Sequence, residues 1–430
     1  MRQLRVALGI LTLTTAISGP VVYAETWPGE EPPEDKDTEW IKIEIPGTVC
    51  GNGSPYKFFV HYAMYNNNLM VIKEQGGACW DHAGCSGRKP LGASHPNGIP
   101  DDMMTNITSS INSIQSPFTW RNHPWSKVEP GSWNKVFLPY CTGDVFVGDT
   151  VTTYEDPTGE FEPLTYHHKG HANMKKVIEW VANEFPEVGR FMSTGASAGG
   201  AGSLINYHLW REELNILEDS ILLNDSGPIF RAYSEDNSPS FLAQKKFVTS
   251  WNVQPLIDSI TDEARQLLEK NQAGDYDFGS INTMLAQLYP QDRLIQIMFT
   301  MDEVYSAYMY GEFFSLNWNS SDDRSHINQL WRKDQSSLIE QYEQWPNLHY
   351  FMPYYRKLGF SHCSTVIDFN FSDISLPGGN QVSLKDYFND LLDLNKPMKS
   401  YVEFDNPDDL NKSNTLHDAA HAIFKNSMGR

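Results

Sequence analysis

Short apolar runs alternate with longer amphipathic ones along most of the chain. Lys57–Tyr62, Leu69–Lys73 and Lys135–Leu138 are brief and bounded by turn residues, the last stopped by Pro139. From Gly170 onward, Met174, Val177, Ile178, Trp180 and Val181 recur at helical spacing. Arg190–Thr194, Ser220–Leu223, Leu294–Phe299 and Leu348–Met352 are further runs of buried-strand length. Parallel neighbours need crossovers of a dozen or more residues, and the helical stretches supply them. The pattern predicts an α/β fold with a mainly parallel sheet and flanking helices. Helical insertions near 229–290 and 325–344 follow core strands. They are expected to cap the sheet's C-terminal edge, where open α/β sheets place their sites. Residues 41–430 read as a single domain carrying these inserts.

The N-terminus changes the cellular setting. Arg2 and Arg5 precede an uncharged apolar run, Val6–Val22, that ends at Val22-Tyr23-Ala24. This reads as a signal peptide over residues 1–24, so the protein is expected to be secreted or periplasmic. Gly19-Pro20 breaks the run, which is also short for a membrane span of ~20 residues. Residues 25–40 are acidic and proline-rich, a flexible lead-in. The formal charge of the chain is −21, and losing the two arginines takes it to −23. Such a surface disfavours nucleic acid and anionic membranes as partners. Five cysteines follow the leader (Cys50, Cys79, Cys85, Cys141 and Cys363), so at least one thiol is left over. None forms a C-x-x-C pair, and no metal or cofactor is expected.

The most informative segment is Arg190–Ser203, which holds Gly195-Ala196-Ser197-Ala198-Gly199. An apolar strand precedes this G-x-S-x-G, and small residues suited to a tight helix start follow it. That context predicts a strained strand-to-helix turn with Ser197 exposed at its apex as a nucleophile. Upstream, Gly76-Gly77 follows the Leu69–Lys73 strand. Backbone amides there, together with the one after the serine, can form an oxyanion hole, which nominates Gly77, Ala78 and Ala198. In chain order an acid and then a histidine should follow the serine. Asp302 lies just past the Leu294–Phe299 run and His362 past Leu348–Met352, on the edge that carries Ser197. Asp225 also follows a strand and is the rival acid. His417 and His421 are the rival bases.

Four blocks resemble the pectin acetylesterase family, which includes the Notum-type carboxylesterases. They are Thr48–Ser54, Gly76-Gly77-Ala78-Cys79 with a second cysteine at Cys85, Pro139–Asp149, and the Ser197 segment. Asp302 and His362-Cys363 also fit the family's acid and base patterns. The resemblance implies an α/β-hydrolase fold and hydrolysis of a carboxylic ester. Ala78 stands where the family has Trp, and Trp80 is expected to supply the substrate wall from the next position but one. Asp225 falls in a family block of its own and is expected to shape the site beside substrate. Cys79 and Cys85 are expected to pair and hold the oxyanion turn rigid.

The expected activity is therefore deacetylation of an acylated polysaccharide, or hydrolysis of a small acyl ester, through Ser197, His362 and Asp302. The chain's acidity argues against a strongly anionic polymer at low salt, because the long-range interaction would be repulsive. A second reading rests on His417-Asp418-Ala419-Ala420-His421, whose histidines at i and i+4 could bind zinc in a hydrolase. A third is a non-catalytic glycan-binding protein on a hydrolase scaffold.

Overall fold

The computed structural model describes residues 40–403, apart from 64–65, 106–115, 121–125, 233–238, 318–319, 357–360 and 367. Residues 1–24, expected to be a leader, and nearly all of the expected acidic lead-in lie outside the described residues, as do His417 and His421. The chain builds strands β1 (Ile41–Val49), β2 (Pro55–His61), β3 (Leu69–Lys73), β4 (Asn134–Leu138), β5 (Thr150–Tyr154), β6 (Leu164–His168) and β7 (Phe191–Ala196). It continues with β8 (Ser220–Asp225), β9 (Arg293–Ile297), β10 (Leu348–Met352), β11 (Ile374–Ser375), β12 (Gln381–Val382) and β13 (Tyr401–Val402). Nine of these form one sheet in the order β1-β2-β4-β3-β7-β8-β9-β10-β13. From β4 to β13 every pairing is parallel, while β1–β2 and β2–β4 are antiparallel.

The sequence explains the parallel part well. Ile221, Leu222 and Leu223 of β8 are all buried, so the strand is apolar without alternation, as befits a strand covered on both faces. Helix α1 (Gly170–Glu184) buries Met174, Val177, Ile178 and Val181, the residues that carry its 3.6-residue period. Trp180 on its flank packs edge-on against Phe58 of β2, with centroids 5.2 Å apart. Burying each such aliphatic side chain stabilises the fold by roughly 1.5–3 kcal/mol. Helix α2 (Ala198–Glu213) lies beside α1 and sends Trp210 and Tyr207 onto Phe191 of β7.

The insertions are largely helical, with helices at Phe241–Trp251, Gln254–Ser259, Asp262–Leu267 and Ile281–Leu288 in the first. The second is one long helix, Ser321–Tyr342, started by the Ser320 side chain accepting from the Asp323 amide. A π-helical turn, Ala307–Gly311, leads into it.

Two disulfides staple the edges. Cys50–Cys141 ties the end of β1 to the loop after β4, and Cys79–Cys85 closes the loop after β3, as expected for that pair. Cys363 is the free cysteine. Among the described residues no helix is long and apolar enough to cross a membrane.

Candidate active site

Strand β7 ends at Ala196 and α2 begins at Ala198, leaving Ser197 to make the whole turn. Its backbone sits at φ 53° and ψ −121°, the left-handed side that a side-chain-bearing residue seldom adopts. The turn is held from below, where the Ser197 amide donates to the Asp225 carbonyl at 2.7 Å. It is also held by crowding. A Cβ on Gly199 would lie 2.3 Å from the Lys73 carbonyl oxygen, so only glycine lets the helix start this close to β3. Ser197 stays partly exposed, and its hydroxyl donates to the Gly76 carbonyl at 3.4 Å.

Asp302 and His362, the expected acid and base, lie on the loops that follow β9 and β10. Asp302 and His362 are buried, 1% and 4% exposed, and Oδ2 of the one stands 2.7 Å from Nδ1 of the other. The second carboxylate oxygen accepts from the amides of Val304 (2.9 Å) and Tyr305 (2.8 Å). Both oxygens are thus engaged, which fixes the ring with Nδ1 toward Asp302 and Nε2 on its other side. No hydrogen bond joins His362 to Ser197 while the serine faces Gly76; catalytic contacts commonly tighten only around substrate.

Asp225, the rival acid, holds a different place. It is fully buried, and its carboxylate accepts from the Ser364 amide (3.0 Å), the Thr365 amide (2.8 Å), the Thr365 hydroxyl (2.8 Å) and the Ser226 hydroxyl (2.9 Å). Burial raises its pKa, and these four donors work against that rise. Its backbone therefore holds the nucleophile while its side chain holds the loop just after His362. Asp225 thus ties the Ser197 turn to the loop after His362 from inside the fold, and it does not line the cavity beside Ser197.

The three amides expected to form an oxyanion hole differ in their present partners. The Ala78 amide is already spent on the Leu91 carbonyl at 3.0 Å. The Gly77 and Ala198 amides have no such protein acceptor among the described residues. They line one cavity with Ser197, and the start of α2 adds the positive end of its dipole.

That cavity holds about 760 Å³ of empty space, counting the part open to solvent. Its walls are apolar, with Leu91, Val145, Ile205, Phe247, Trp251 and Val304 among them. Phe247 and Trp251 come from the first insertion, stacked 5.0 Å apart at 1°. Trp80 is not on the wall. It packs behind it, 5.7 Å from Tyr308 and 6.2 Å from Trp251, and braces the aromatic residues that do line the space. Tyr305 and Tyr308 are not evident from the sequence as site residues. Both line the cavity, and the Tyr308 hydroxyl donates to the Ala78 carbonyl at 2.7 Å, latching the π-helical turn to the oxyanion loop. Their place just after the Leu294–Phe299 run, beside Asp302, is the available signal.

Among the described residues, Cys79, Cys85 and His168 are close enough to share a metal ion. The two sulfurs are joined as a disulfide, and both His168 nitrogens are engaged, with the Thr142 carbonyl and the Tyr154 hydroxyl.

Directly before the Gly76-Gly77 turn, Lys73 is buried with no acceptor for its Nζ among the described residues; the Trp210 ring lies 5.5 Å away. Burial pushes the amine down from 10.5 to about 7. Above pH 10.5 it is neutral whether folded or unfolded. As pH falls from there toward 7, the unfolded chain takes up a proton that the fold resists, so stability drops across that window and stays lower below it. Each unit is worth about 1.4 kcal/mol. Lys73→Met should therefore raise the thermal midpoint at pH 7 and flatten its dependence between pH 7 and 10. An unchanged profile would show that Nζ is solvated after all.

A serine elbow, an oxyanion turn and a histidine–carboxylate pair at the C-terminal edge of a mostly parallel sheet define an α/β-hydrolase. The chain belongs to the pectinacetylesterase family, whose model matches residues 33–409. It is similar to palmitoleoyl-protein carboxylesterase notum2 of Xenopus laevis, 24% identical over 182 residues, 40% of this chain and 32% of that protein. Pectin acetylesterase 4 of Arabidopsis thaliana is 24% identical over 176 residues, 40% of this chain and 39% of that protein. Pectin acetylesterase 5 of the same plant is 26% identical over 171 residues, covering 39% of this chain and 36% of that protein. The matched stretch thus spans well under half the length of each relative.

Proposed function

We propose that this protein is a serine carboxylic-ester hydrolase acting outside the cytoplasm, with Ser197 as nucleophile, His362 as general base and Asp302 orienting it. One observation carries the reading: Ser197, the unspent amides of Gly77 and Ala198, and an apolar cavity meet beside a buried His362–Asp302 pair. Nε2 of His362 takes the Ser197 proton as Oγ attacks the ester carbonyl. The developing oxyanion is held by the two amides, and the alcohol leaves with the proton returned by His362. Water repeats the cycle on the acyl-enzyme and releases the acid. Two disulfides support an oxidising compartment.

The apolar walls favour an acyl chain longer than acetyl, attached to an uncharged alcohol. Each methylene buried is worth about 0.8 kcal/mol, roughly fourfold in kcat/KM if the contact persists in the transition state. Across p-nitrophenyl esters from acetyl to octanoyl, kcat/KM should rise by about fourfold for each methylene that enters the cavity. A maximum at acetyl, with loss at longer chains, would restore deacetylation as the leading reading and leave the cavity to the alcohol.

A further inference from the structure

A second histidine–carboxylate pair lies behind the oxyanion turn and has no part in the proton transfers above. Glu74 immediately follows β3, and its amide donates to the Leu138 carbonyl at 2.9 Å. Its buried side chain places Oε2 2.9 Å from the Tyr140 amide and 2.9 Å from Nε2 of His95. His95 is partly buried, at 16% side-chain exposure. Burial alone would lower its pKa, but the Glu74 charge and hydrogen bond outweigh this and raise it.

His95 ends a strap, residues 91–95, that crosses the oxyanion turn at contact distance. The Leu91 carbonyl takes the Ala78 amide at 3.0 Å. A Cβ on Gly77 would stand 1.5 Å from that carbonyl oxygen, and one on Gly76 would stand 2.0 Å from Ser94 Oγ. The strap therefore rests directly on the peptides that flank the Gly77 N–H. Its middle is tied to the disulfide loop by the Ala93 amide donating to Gly84 (3.0 Å). Its far end is tied to the turn itself through Glu74.

We infer that Glu74 and His95 are a positioning pair for the oxyanion hole: they clamp the strap onto Gly76–Gly77 and so aim the Gly77 amide at the reacting carbonyl. This rests on the triad reading above. Glu74 leads directly into the turn, and His95 is the strap's grip on Glu74. Releasing either lets the strap lift and the Gly77 amide swing. Misplacing one such group by about 1 Å can cost on the order of a hundredfold in rate.

The test compares His95→Ala, Glu74→Gln and His95→Gln with the unmodified protein, each normalised to active sites titrated with a fluorophosphonate. His95→Ala should lower kcat on a p-nitrophenyl ester by about tenfold to a hundredfold with KM changed less than about threefold. It should weaken a trifluoromethyl-ketone transition-state analogue by the same factor. His95→Gln keeps an N–H donor and should recover most of the loss. A merely structural pair would lower the folded fraction and leave kcat per titrated site and analogue binding within twofold; that result overturns the inference. Labelling of Ser197 separates the two claims. It persists in all variants if only the clamp fails, and its absence from the unmodified protein refutes the triad and the clamp together.

Discussion

Ser197→Ala should abolish ester hydrolysis, lowering kcat/KM by at least about 10⁴-fold, while leaving the fold intact. The loss follows from position. Ser197 is the hydroxyl at the apex of the β7–α2 turn, beside the unspent Gly77 and Ala198 amides. The fold survives because the hydroxyl makes one long contact, to Gly76 at 3.4 Å, while the turn is held by backbone. The amide of residue 197 still reaches the Asp225 carbonyl, and its carbonyl still accepts from Ala201 at 3.0 Å. An unchanged thermal midpoint beside lost turnover is therefore the expected pair of readings. Near-full activity in the variant would remove Ser197 from the chemistry.

The second large effect distinguishes two buried aspartates. Asp302→Asn should lower kcat by about 10³- to 10⁴-fold at nearly unchanged stability. An amide set against Nδ1 favours the wrong tautomer of His362 and stabilises no imidazolium. Asp225→Asn should act differently, because an NH₂ group would face donors from Ser364 or Thr365. A buried donor left without a partner costs about 1–3 kcal/mol, so this variant should melt earlier. Its turnover per folded molecule should fall far less than that of the Asp302 variant. Thermal melts and steady-state kinetics on both proteins check this. An Asp225→Asn enzyme that is stable but inert, beside an active Asp302→Asn enzyme, would exchange their roles.

Much of this arrangement is legible in the sequence because the relevant signals are local. Ile221-Leu222-Leu223 is apolar throughout, and a doubly covered strand has no other pattern. Ser197 sits between small residues because Gly195 and Gly199 meet backbone on both sides. Strand β1 is harder to see. Pro46-Gly47 interrupts it, and its register shifts between Glu44 and Val49. The β5–β6 hairpin is polar and lies off the main sheet, so Thr150–Tyr154 shows no core-facing stripe to read. The Ala78 amide is lost to Leu91, a contact across 13 residues of irregular loop that no periodicity encodes. For the same reason the sequence does not show that Trp80 stands behind the wall. Its partners Phe247, Trp251 and Tyr308 arrive from insertions more than 160 residues away. Asp225 and Asp302 both follow strands, and only the tertiary fold shows which one His362 faces.

Covalent labelling decides whether Ser197 is a nucleophile activated by His362. The full-length protein is treated with a fluorophosphonate and the adduct is mapped by peptide mass spectrometry. One adduct per chain is expected, on Ser197, absent from Ser197→Ala and formed far more slowly in His362→Ala. An adduct on a different residue, or a protein that hydrolyses esters yet stays unlabelled, would contradict it.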